Sequence, residues 1–97
     1  MKTIINKGGA DMVNNKIIDL YYNTIQKILL FGAGNNWQEK HLYLAYGEFF
    51  QLGNLLSDEN IKMLIIAKCI KKFNKRYNTN YTFATISIIW DELKEQL

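Results

Sequence analysis

Two side chains of this sequence have the chemistry of a nucleophile and its base: Cys69 and His41, the single cysteine and single histidine of 97 residues. Distant positions can meet in a fold, so a Cys–His couple is the first arrangement to weigh. The neighbours of Cys69 speak against it. Ile61 and Ile65 precede it at helical spacing, and a cysteine on an apolar helix stripe behaves as a small buried hydrophobe. His41 follows Trp37 by one turn and reads as a helix-surface or boundary residue. No set of His, Cys and carboxylate residues has the spacing of three or four convergent metal ligands. GAGN at 32–35 contains Gly-x-Gly but lacks the preceding strand, third glycine and lysine of a phosphate loop. It reads as a turn between helices, with glycine present for its backbone freedom. Asp91, Glu92 and Glu95 read as a solvated face. The expectation is a protein that is not an enzyme, with no cofactor and no metal.

What remains is electrostatic. Residues 67–78, AKCIKKFNKRYN, hold five of the twelve basic residues and no acid. The wider segment 61–77 carries six positive charges and no negative one, whereas the rest of the chain has six basic and nine acidic residues. The formal net charge of +3 hides this asymmetry. On a helical wheel at about 100° per residue, Lys68, Lys71, Lys72, Lys75 and Arg76 share roughly 140° of arc. Met63, Ile66, Ile70, Phe73 and Tyr77 form the opposite stripe, the expected core face. Ile61, Leu64 and Ile65 project on the lysine side, so the first half of this helix is apolar all round. Such a helix is usually covered; left open, its apolar patch adjoins the basic one and makes a docking surface.

Three uses of the basic face compete. The lysines can solvate the surface, complement the negative end of their own helix and face Asp91, Glu92 and Glu95. They can neutralise nucleic-acid phosphates, with Tyr77 or Tyr81 stacking on bases and Asn74, Asn78 and Asn80 adding polar contacts. Eleven lysines to one arginine weaken that use, since arginine is the bidentate reader of guanine and phosphate, and the helix junction at TNYT lacks the glycine common in helix-turn-helix units. They can also meet an acidic protein partner. Neighbouring aromatics, Tyr21/Tyr22 and Phe49/Phe50, cannot share one narrow helix stripe, so some rings are expected at the surface, where they mark interfaces, a homodimer included. In size, charge and helical character the chain resembles the small inhibitors and immunity proteins of phages and other mobile elements, though it shares no motif with them. The leading expectation is a small binding or regulatory protein whose partner is an acidic or nucleic-acid-binding protein surface. A nucleic-acid-binding regulator using the same lysines is the alternative.

The elements that must position these residues follow from periodicity. With 48% apolar residues, the chain supports one domain and one core. Proline is absent, so glycine, asparagine and caps must break the helices. Ile18, Tyr21, Ile25 and Ile28 predict a helix over about 12–31. Asn36 with Glu39 has the layout of a capping box and starts a helix over 37–55, with Leu42, Ala45, Tyr46, Phe49 and Leu56 inward. Ser57 caps a third, 58–77, which Asn78 ends in a left-handed conformation. YTFATISIIW has the alternation of a strand, but Phe83, Ile86, Ile89 or Trp90, Leu93 and Leu97 keep helical spacing, and we read 83–96 as a fourth helix with a strand as the alternative. Residues 1–11 are expected to be an arm or short strand. The fold class is all-α, a bundle of about four helices. A lone cysteine and no secretory leader in MKTIINKGGADM are the pattern of a cytoplasmic protein. The longest strongly apolar stretch, Met63 to Ala67, falls far short of the roughly 20 residues of a membrane span.

Overall fold

A computed structural model describes residues 15–34 and 37–96. It contains four helices: α1 (Asn15–Gly32), α2 (Glu39–Gly53), α3 (Glu59–Tyr77) and α4 (Phe83–Gln96). No strand occurs among the described residues, and none of the described helices is long and apolar enough to cross a membrane. The expected arm at 1–11 lies outside the described residues.

The broad apolar face of α1 makes it the central element. Ile17, Tyr21, Tyr22, Ile25, Ile28 and Leu29 are all buried, an arc wide enough to serve two neighbours. α2 and α3 both pack on it and hardly touch each other, while α4 closes against all three. Tyr22 therefore goes inside beside Tyr21, contrary to the expectation that neighbouring rings divide between core and surface. Phe49 and Phe50 do divide: Phe50 is exposed and Phe49 half-buried.

Gly32 serves the junction of three helices. A Cβ there would stand 2.7 Å from Cγ2 of Ile89 on α4 and 2.9 Å from Cδ2 of Leu42 on α2. Its backbone does not have positive φ, so the glycine is there for space and not, as expected, for backbone freedom. Nearby, the Tyr46 ring packs 4.8 Å from that of Trp90, and its buried hydroxyl donates to the Ile86 carbonyl.

The caps differ in detail from those expected. α2 begins at Glu39, two residues after Trp37, and its N-cap is Gln38, whose side chain makes no capping bond; Asn36, the expected cap, lies outside the described residues. α3 is capped by Asp58 instead of Ser57. Its carboxylate accepts from the backbone N–H of Asn60 (2.9 Å) and Ile61 (3.3 Å), and its negative charge is favoured at the positive end of the helix. Asn78 ends α3 with φ 56° and ψ 52°, left-handed as expected.

The strand alternative at 81–90 does not form. Ile86, Ile89 and Leu93 are buried at steps of three and four, while Ile88, which alternation would place with Ile86, is exposed. The Thr85 hydroxyl accepts from the Thr82 N–H at 3.1 Å, the return half of a capping box.

Candidate binding groove

Lys68, Lys71, Lys72, Lys75 and Arg76 are all exposed on α3, as the wheel predicts. The core face opposite them needs correction. Ile65, Ile66, Cys69, Ile70 and Phe73 are buried, whereas Met63 and Tyr77, at the ends of the expected stripe, are exposed. Relative to the predicted stripe, the helix is turned toward α1 by roughly half of one 100° residue step. The cause is the bundle's asymmetry: α3 has far more contact with α1 than with α4. The turn covers Ile65 and brings Lys72 to the edge of α1, while Leu64 stays 66% exposed. An open apolar residue thus adjoins the basic face.

Between α1 and α3 this arrangement leaves an open groove of about 430 Å³. Ile18, Tyr22 and Cys69 form its apolar lining, and Lys68, Lys71, Lys72 and Lys75 its cationic one. The Lys72 ammonium lies 4.5 Å from the Tyr22 ring centroid, a cation–π distance. The Tyr22 hydroxyl is buried and has no hydrogen-bond partner among the described residues. Buried hydroxyls are normally satisfied, and that of Tyr21 likewise has no partner among the described residues. Ile18, Tyr22 and Cys69 are the groove residues that sequence reasoning did not assign to the binding site. The signal was the Tyr21–Tyr22 pair, which marks a helix with two packed sides.

None of the five cations has an ion-pair partner among the described residues. The ion pairs are Lys27–Glu48 at 3.3 Å, Lys62–Glu59 at 2.9 Å and Lys94–Asp91 at 3.4 Å. Asp91 thus pairs within its own helix, and Glu92 and Glu95 do not neutralise α3. A second cavity of about 410 Å³, between α1 and α2, has its lysine already paired with Glu48.

Several residues assigned to nucleic-acid contact are occupied in the fold. The Asn74 side chain donates to the Tyr81 carbonyl at 2.8 Å and accepts from the Tyr81 N–H at 3.0 Å and the Thr79 hydroxyl at 2.8 Å, holding the α3–α4 turn. Tyr81 is half-buried with its hydroxyl donating to the Ala33 carbonyl at 3.1 Å. Tyr77 is partly exposed, its ring stacked on Phe73 at 4.4 Å.

The Cys–His couple is not assembled. His41 is exposed on α2, hydrogen-bonded with Gln38 and 5.3 Å from the Phe31 ring. Cys69 is buried, with its thiol donating to the Ile18 carbonyl at 3.7 Å. Burial pushes the thiol up to about 11 from an ordinary 9.0; Lys72 and Lys68 act against the rise and Asp19 adds to it. A thiol so protonated is a poor nucleophile. Among the described residues no three His, Cys, Asp or Glu side chains gather in a way that could hold a metal ion. Comparison with models of known families, with curated proteins and with solved structures found no match.

Proposed function

We propose that this is a non-enzymatic binding protein that regulates or inhibits a partner by laying the basic face of α3 on an acidic protein surface. One observation carries the reading: exposed lysines without ion-pair partners among the described residues line a groove whose remaining lining, Ile18, Tyr22 and Cys69, is apolar. Like charges at helical steps of four destabilise the helix that carries them, and no ion pair among the described residues offsets that cost. An acidic protein segment supplies both things the groove lacks, carboxylates for the rim and an apolar side chain for the lining. A phosphate backbone supplies only the first.

The test compares the tagged wild-type protein with the Lys71→Glu, Lys72→Glu, Lys75→Glu triple variant in capture from the native cell. A protein retained by the wild type and lost by a still-folded variant supports the reading; equal retention moves the site off α3. Nucleic acid is the competing partner. Four phosphate contacts would make log affinity fall with log salt at a slope of about −3 to −4, and oligonucleotide binding with that slope would replace the protein partner.

A further inference from the structure

Gly47 lies mid-way along α2 on the side away from the core, and a Cβ built there meets nothing within 4 Å. Glycine is among the weakest helix formers, and here, unlike at Gly32, no contact among the described residues requires its absent side chain. The residues flanking it at helical steps are all exposed: Lys40, Tyr43, Leu44, Phe50, Gln51 and Asn54. Tyr43 is 53% exposed, Leu44 58% and Phe50 47%, so the face is apolar around a gap the size of a missing side chain.

We propose that this face of α2 binds the same face of a second copy, the two helices antiparallel and crossing at Gly47. In such a pair, residues equally far on either side of the crossing face each other. Leu44 then meets Phe50 of the second copy, apolar on apolar. Tyr43 meets Gln51, a phenol beside an amide, and Lys40 meets Asn54 at the carbonyl end of the opposing helix, where a cation is favoured. The face matches itself in polarity at every step, as a two-fold interface must. Gly47 lets the backbones approach where any other residue would separate them.

Charge selects the second copy at α2 and excludes it at α3. α2 carries Glu39, Lys40 and Glu48 and is nearly balanced, whereas two α3 faces would repel. Because α1 stands between α2 and α3, joining through α2 leaves both lysine faces open. Such a particle is bivalent, and gains avidity for a partner that presents repeated acidic sites.

Sedimentation velocity of the full chain, from micromolar to millimolar concentration, tests the proposal. The wild type should pass from monomer to dimer, with little dependence on salt. Leu44→Glu should weaken the dimer by more than tenfold with unchanged helix content, since it places two buried carboxylates in the interface. Gly47→Ala should raise the melting temperature of the dilute protein yet weaken the dimer about tenfold, because the helix gains and the crossing loses. A wild type that stays monomeric throughout would overturn the proposal, as would a dimer that both variants leave intact.

Discussion

The Lys72 ammonium and the Tyr22 ring meet 4.5 Å apart at the edge where α3 crosses α1. This contact holds a cation over an aromatic group whose own hydroxyl is buried without a partner among the described residues. The two halves differ in energy: the cation–π contact contributes roughly 0.5–1 kcal/mol at an exposed site, while an unsatisfied buried hydroxyl costs about 1–3 kcal/mol.

Tyr22→Phe should therefore stabilise the free protein, by about 1 kcal/mol, a rise in melting temperature of roughly 4–8 °C for a domain of this size. Under the proposed function, the same variant should bind an acidic partner less well if that partner's carboxylate reaches the phenol donor beneath Lys72. A lower melting temperature would mean that the hydroxyl is satisfied within the fold.

Gly32 and Gly47 predict opposite outcomes for one substitution. Gly32→Ala must push Cγ2 of Ile89, 2.7 Å from the new methyl, and that atom sits next to its own backbone and cannot swing aside. Overpacking of this kind costs about 1–3 kcal/mol, against a helix-propensity gain of roughly 1 kcal/mol. We expect net destabilisation in a thermal melt. An unchanged or higher melting temperature would show that α1 and α4 can separate cheaply.

The elements were legible because periodicity reports a burial pattern that the fold then keeps. Ile86, Ile89 and Leu93 outweighed the β-branched composition of 81–90, since a strand with no neighbouring strand leaves its backbone unpaired. Asn78 was readable because few residues other than glycine tolerate positive φ. The rotation of α3 was not readable: a single wheel cannot show that its main neighbour is α1 and not α4, and Met63 and Tyr77 are placed on the surface by that geometry alone. The lysines were therefore found and the groove beneath them was not. Tyr22 belongs to a different helix, brought beside Lys72 only by packing.

The buried acids of the core give the protein an alkaline limit. Burial raises Cys69 to about 11 and raises Tyr46 and Tyr21 above their ordinary 10.0. These groups ionise more readily unfolded than folded, so their contribution to stability is complete below the unfolded values. It is lost as pH climbs through the folded ones. Melting temperature should hold steady up to about pH 9 and fall beyond it. The thiol's share, from a shift of two pH units, is of order 2–3 kcal/mol once fully lost. Cys69→Ala, though less stable throughout from its cavity, should flatten the first part of the decline. A decline of equal slope in that variant would assign the limit to the tyrosines. The wild-type thiol should also react with iodoacetamide far more slowly than a free cysteine at neutral pH, because it is both buried and protonated.

The last prediction concerns the cost of the lysine face itself. Lys68 with Lys72, Lys71 with Lys75, and Lys72 with Arg76 are like charges four residues apart on α3, and no acid within ion-pair distance relieves them among the described residues. Each such pair opposes the helix by roughly 0.2–0.5 kcal/mol. Lys75 and Arg76 recover part of this from the helix C-terminus, where cations are favoured; Lys71 lies farther from that end. Lys71→Glu removes the repulsion with Lys75 and installs an acid four residues N-terminal to it, the favourable order. Its melting temperature should exceed that of the wild type at low salt, and the gap should narrow as salt rises from about 0.05 to 0.5 M, where the screening length shrinks to a few ångströms. The same substitution should weaken partner binding. The gain in stability follows from helix electrostatics whatever the face is for, so it is the loss of binding by a variant of higher stability that distinguishes a face kept for a partner.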